Sequence, residues 1–156
     1  MKLTGSFARS RSVVATGLLS LIVFGVSYEA DAAKSARTLY NEAVRAEGQL
    51  NKSKKLRSDK NSWIKVARQY RLVVLNHPRS GYCDDALWHE GEIYKEVDKR
   101  FGSRDAARRA LDAYILLVDG YPSSKWNRKA RLRKADLYLN RYSDSKAATK
   151  ELNVVI

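Results

Sequence analysis

The chain is poor in the residues that most enzymes and many secreted domains depend on. It has one cysteine, Cys83, so no internal disulfide can form and packing must hold the fold. It has two histidines, His77 and His89. A zinc-protease helix needs His-Glu-x-x-His, and here Ile93 stands where the second histidine belongs. One histidine cannot satisfy a metal that takes three or four protein ligands. Cys83 near a helix start would need a base beside it to act as a nucleophile. His77 is near it in sequence, but no third group orients that ring. There is no glycine-rich phosphate loop and no Ser-His-Asp arrangement. These absences argue against a catalytic residue, a metal or a cofactor in this chain. Proline occurs only twice, while Ala, Leu, Lys and Arg are plentiful, a balance that favours helix.

What is present begins with charge. Of 156 residues, 30 are Lys or Arg and 17 are Asp or Glu, a net of +13. Hydrophobic residues make up 44% and charged residues 30%, the balance of a folded domain and not of a disordered one. The first 32 residues stand apart. Lys2, Arg9 and Arg11 precede the apolar run VVATGLLSLIVFGV, and Ala30-Asp31-Ala32 supplies small residues at a cleavage site. This pattern predicts a secretory signal peptide over residues 1–32. The run is shorter than the roughly 20 residues that span a bilayer. No cysteine for a lipid anchor and no twin arginine accompany it. Residues 33–156 keep a net of +12, since three basic and two acidic residues lie in the leader. Such a surface attracts anions. For an exported chain these are cell-wall polymers, lipid head groups and acidic proteins, and no nucleic-acid partner is expected.

The sequence matches itself at an offset of 44. Tyr70 falls on Tyr114, Val74 on Val118, Pro78 on Pro122 and Ser80 on Ser124. Tyr82 falls on Trp126, Ala86 on Ala130, Gly91 on Ala135 and Tyr94 on Tyr138. The shared positions are aromatic, small or turn residues, and the charged positions between them differ. That is the signature of a repeated structure with drifting surfaces. In the first copy Asp84 and Asp85 suit a helix N-terminus; in the second their places hold Arg128 and Lys129.

Each copy predicts two helices, from apolar spacings of three and four and from the proline that ends the first. Ser80 and Ser124 are the expected N-caps of the helices that follow. Six helices are predicted, over 34–54, 61–76, 81–99, 104–120, 124–140 and 144–156, pairing as three hairpins. The basic stretch 51–62 extends the first helix or links it to the second. The segment Ser143–Ile156 is expected to open a further helix after Asn140–Tyr142. Gly91 inside a helix costs about 1 kcal/mol relative to alanine, which predicts close approach of a neighbouring helix. Trp63, Trp88 and Trp126 are expected in the core or at a seam between hairpins. The apolar end NVVI suggests that the repeat array is cut short at residue 156, because natural arrays end on polar faces.

The motifs Tyr121-Pro122-Ser123-Ser124 with Ala130, Ala135, Asp136 and Tyr138, and His77-Pro78-Arg79-Ser80 with Ala86, Gly91, Glu92 and Tyr94, resemble tetratricopeptide-like (TPR-like) repeats of bacterial envelope proteins. Such repeats occur in scaffolds of outer-membrane assembly and of Tol–Pal-linked cell division, and in the N-terminal region of secreted N-acetylmuramoyl-L-alanine amidases. The segment Lys95–Tyr114 looks most like the last group. The resemblance covers about residues 33–150. It departs in period, 44 against about 34 for the standard repeat. It also stops before any residues that match a zinc-bearing catalytic domain.

The resemblance implies an all-α fold of antiparallel hairpins stacked as a short TPR-like solenoid. It implies a non-catalytic scaffold at the cell envelope, with a protein or peptide partner. The packing positions would be Tyr70, Pro78, Ala86, Gly91, Tyr94, Tyr114, Pro122, Ala130, Ala135 and Tyr138. The candidate anion-facing residues, taken from the basic clusters alone, are Lys52, Lys54, Lys55 and Arg57, and Arg128, Lys129, Arg131 and Arg133.

Overall fold

The computed structural model describes residues 34–155. The leader assigned to 1–32 lies outside the described residues. The described residues are all-helical, with seven helices and no strand. They are α1 (Ala36–Lys52), α2 (Lys54–Arg57), α3 (Lys60–Asn76), α4 (Cys83–Phe101), α5 (Arg104–Gly120), α6 (Asn127–Tyr142) and α7 (Ser145–Asn153). Each of the six longer helices packs on its neighbours in the chain: α1 on α3, α3 on α4, α4 on α5, α5 on α6 and α6 on α7. No helix among the described residues is long and apolar enough to cross a membrane.

Local chemistry starts most of these helices. Ser35, Ser53, Asp59, Ser103 and Asp144 each accept a backbone N–H of the first turn with a side-chain oxygen. The basic stretch forms one separate turn, α2, whose Arg57 guanidinium donates back to the Asn51 carbonyl. The Trp63 indole N–H then donates to the Arg57 carbonyl at 3.0 Å, tying the corner to α3.

Ser80 and Ser124 differ from the expected N-caps. Their hydroxyls accept the N–H two residues on, from Tyr82 at 3.3 Å and Trp126 at 3.1 Å, and the helices begin only after those rings. Each serine closes a tight turn. The aromatic residue that follows takes the cap position without a side-chain cap bond. The ring is thereby directed towards the preceding helices instead of into the first turn.

The helix expected to open after Asn140–Tyr142 does so at Ser145, and α6 runs to Tyr142, two residues past its expected end at 140. Tertiary contacts extend it. Arg141 reaches across to Asp98 at 2.9 Å and to the Gly102 carbonyl at 3.2 Å, and Tyr142 packs against the core. Ser143, with φ 55°, then ends the helix in the left-handed region. Between α4 and α5 the same duty falls on Gly102, with φ 64°, where a glycine carries no steric penalty. The extra residues around Lys95–Arg104 are absorbed by longer helices.

The core lies between the packed helices. Tyr70, Val73, Leu87, Val97, Tyr114 and Leu117 are fully buried. Burial of a Val or Leu side chain contributes roughly 1.5–3 kcal/mol. Ala67, Ala86, Ala107, Ala110 and Ala130 are buried with them and let helices approach. At Gly91 of α4 a Cβ would lie 2.4 Å from Cε1 of Tyr114 on α5, so the ring fills the space that any side chain there would need.

Candidate functional site

The chemistry-bearing residues of this protein gather where α4 meets α1 and where α6 meets α4. In the first joint the Glu47 carboxylate of α1 accepts the Tyr70 hydroxyl of α3 at 2.5 Å and lies 3.2 Å from Nδ1 of His89 on α4. The His89 ring stacks on Tyr70, centroids 5.0 Å apart and planes 10° from parallel. In the second joint the Glu92 carboxylate of α4 accepts the Tyr114 hydroxyl of α5 at 2.6 Å. Arg133 of α6 grips the same carboxylate with two N–H groups, at 2.8 and 3.2 Å.

These are two copies of one arrangement. Tyr70 and Tyr114 are 44 apart, and so are His89 and Arg133. Only the acid is displaced, by one position: the strict counterpart of Glu92 is Gly48, next to Glu47. Burial pushes both carboxyls towards higher pKa. The hydrogen bonds outweigh it, from His89 and Tyr70 in one case and from Arg133 and Tyr114 in the other, so both groups stay below the usual range. The two tyrosines are raised by burial and by the neighbouring carboxylate.

A second pair of ties recurs at the turns. A ring nitrogen of His77 lies 2.7 Å from the Lys34 carbonyl, and the Tyr121 hydroxyl donates to the Pro78 carbonyl at 2.9 Å. Both the rings and the carbonyls are 44 apart in sequence. Tyr82 packs on Tyr40 with centroids 5.3 Å apart, and Trp126 stacks on Trp88 at 4.7 Å with planes 3° from parallel. Such aromatic pairs add roughly 0.5–1.5 kcal/mol beyond burial. Ser124 donates to Asp84 at 2.6 Å, the Trp126 indole donates to Asp85, and Lys125 pairs with Asp85 at 2.8 Å. Asp84 and Asp85 therefore serve the next turn as well as their own helix dipole.

The basic candidates do not form one surface. Lys52, Lys54 and Lys55 are exposed at the α1–α2 corner, with Arg57 half-buried beside them. Arg128 and Lys129 are exposed on α6. Arg131 and Arg133 each pair with a carboxylate of another helix, which neutralises part of the basic face expected there. Arg131 pairs with Glu151 at 3.1 Å, while Arg133 holds Glu92 and lies over Trp88. Lys134, 6% exposed, completes the α6–α7 contact by pairing with Glu151 at 2.8 Å.

His89, Cys83 and Glu90 each have structural partners. His89 lies beside the Glu47 carboxylate and stacks on Tyr70. Cys83 is buried, with Sγ 3.0 Å from the His77 carbonyl and no imidazole as partner. Glu90, 3% exposed, pairs with Arg71 at 2.9 Å. Burial raises its carboxyl to about 7 against the pull of Arg71. Among the described residues no group of three or more His, Cys, Asp or Glu is placed to hold a metal ion.

Comparison with protein-family models, with curated proteins and with solved structures returns no match. The joints themselves were missed in the sequence because their residue classes differ. A histidine and an arginine at one repeat position look like drift until the carboxylate opposite each is seen.

Proposed function

We propose that this protein is a TPR-like helical-repeat scaffold of the bacterial cell envelope that binds a protein or peptide partner and performs no chemistry itself. In this reading α1/α3, α4/α5 and α6/α7 are three antiparallel hairpins of one solenoid. The observation that carries it is the recurrence, 44 residues apart, of the tyrosine–carboxylate–cation joint and of the ring-to-carbonyl tie. A translation that preserves contacts between units, and not merely within them, is what a solenoid requires. A groove between α4 and α6, lined by Lys95, Lys99, Asp136 and Asn140, offers both charges to a partner segment. The resemblance to the repeat region of secreted cell-wall amidases makes placement of such an enzyme the preferred role. A free-standing scaffold of outer-membrane assembly or division has the same geometry.

The test has two arms. Residues 1–33 fused to a reporter that is active only after export should give activity, and an inactive fusion removes the envelope from the proposal. A photocrosslinking residue at Lys95 or Lys99 should trap one envelope protein, whereas the same probe at Leu72 or Leu116, exposed on α3 and α5, should not. Equal trapping from both sets, or none from either, would overturn the binding role.

A further inference from the structure

Three arginines gather on a small cleft that the joints do not use. It holds about 190 Å3 and is lined by Arg68 and Arg71 of α3, Glu90 and Tyr94 of α4, and Arg109 and Asp112 of α5. Arg68 and Arg109 are exposed, Arg71 is half-buried, and Glu90 and Tyr94 are buried. Arg109 lies over the Tyr94 ring, 5.9 Å from its centroid. Burial and the Glu90 carboxyl raise the Tyr94 hydroxyl against the pull of Arg109 and Arg68, so it remains a donor. Nε of Arg71 lies 2.9 Å from each Glu90 oxygen but donates to Oε1 alone. Oε2 is buried with no hydrogen bond. Arg68 forms no ion pair among the described residues, and Arg109 shares Asp105 with Arg108.

The repeat does not require this cluster. At the offset of 44, Arg68, Arg71, Glu90 and Arg109 become Asp112, Ile115, Lys134 and Asn153, and only Tyr94 keeps its class, as Tyr138. Burying a carboxylate–guanidinium pair gains little over apolar residues of the same size. Packing therefore leaves the three cations unexplained, whereas an anion in the cleft would use them. We propose that the cleft formed by α3, α4 and α5 binds a tetrahedral oxyanion, a phosphate or sulfate group, held by Arg68, Arg71 and Arg109 with the Tyr94 hydroxyl as a further donor. One guanidinium satisfies a planar carboxylate through two parallel bonds. Three, arriving from two helices, suit an ion with oxygens on several sides. Glu90 sets the pH at which the site is open. Its carboxyl, raised to about 7 by burial against the pull of Arg71, can donate from Oε2 when protonated and repels the ligand when ionised. Arg109 adds to the pull of Arg71 on that carboxyl, while Asp112 raises it further and is itself a repelling group in the cleft. At about 100° per residue, Glu90 and Tyr94 lie across α4 from Glu92 and Lys99. The site is thus separate from the α4–α6 groove and depends neither on the scaffold reading nor on export.

The probe is sodium sulfate, whose charge does not change in the neutral range, titrated into isotope-labelled protein at constant ionic strength. Saturable shifts are expected in the amides of residues 68–71, 90–94 and 109–112. Arg68→Gln with Arg109→Gln, both at exposed positions, should weaken binding by about tenfold or more. Affinity should fall several-fold as pH rises from about 6 to 8, and Glu90→Gln, which cannot ionise, should bind without that fall. The amide spectrum shows whether Glu90→Gln is folded, and the arginine variant tests the site without it. Lys52→Glu, Lys54→Glu and Lys55→Glu together should leave binding unchanged. Inorganic phosphate and glycerol 3-phosphate then distinguish the source. Preference for the ester supports a lipid head group in the site, and equal or tighter binding of the inorganic ion supports free phosphate. Shifts that do not saturate, or that vanish in the α1–α2 variant, would reduce the effect to general attraction and overturn the proposal. So would unchanged affinity in the arginine variant, a wild-type affinity that is flat with pH, or a pH dependence that survives in Glu90→Gln.

Discussion

Arg133 of α6 and Glu92 of α4 lie 41 residues apart and meet through two N–H···O contacts, at 2.8 and 3.2 Å. The pair is more than one-third exposed on each side, so solvent screens it. Its measurable role is coupling. In a double-mutant cycle of Glu92→Gln and Arg133→Met, the interaction energy should be about 1 kcal/mol by urea unfolding, lower at high salt. Additivity within about 0.3 kcal/mol would mean that the joint does not couple α4 to α6.

Gly91→Ala should destabilise by roughly 1–3 kcal/mol, since its Cβ meets the buried Tyr114 ring at 2.4 Å. Gly48→Ala, also within a helix but with nothing within 4 Å, should stabilise by about 0.5–1 kcal/mol. Thermal melts of the two variants must move in opposite directions. A shift of the same sign in both would show that packing at Gly91 is not what sets its cost.

Glu90 gives the pH dependence a sign. Its carboxyl is raised in the fold to about 7, above an unfolded value of 4.5. The native state therefore holds a proton that the unfolded chain has released. Stability from this group is complete below about pH 4.5 and is lost as pH rises through 7, by at most about 3 kcal/mol. Glu47 and Glu92 act oppositely, adding stability above the ordinary carboxylate range that is lost as pH falls through their lowered values. Glu90→Gln should flatten the decline between about pH 5 and 7 while leaving the acid limb intact. An unchanged slope in chemical denaturation across that range would show that Glu90 stays ionised beside Arg71.

The exposed corner of Lys52, Lys54 and Lys55 should bind anionic vesicles or isolated cell-wall sacculi at low salt. Affinity should fall steeply between about 50 and 500 mM salt, as screening shortens. Binding that is unmoved by salt, or by reversal of the three charges, would rule out this corner as an anion-facing surface.

The sequence by itself determined the all-helical class, because apolar spacing, scarce proline and a repeated proline–serine turn are local properties of the chain. It also marked Gly91 as anomalous, since a glycine within a helix needs a packing reason. It misplaced the helix starts near residues 81 and 124, where a serine closes a turn and an aromatic ring takes the cap. It also grouped Arg131 and Arg133 with Arg128 and Lys129 as anion-facing, without the carboxylates that pair with the first two. Charge on a helix says nothing about what lies opposite, and a carboxylate 41 residues away or in a following helix is invisible to local pattern. Only the tertiary structure decided which cations pair with a carboxylate of another helix and which, at Arg128 and Lys129, remain exposed without one among the described residues. It did so because joints between units are made of pairs distant in sequence, whose members can change class as long as each still finds its opposite.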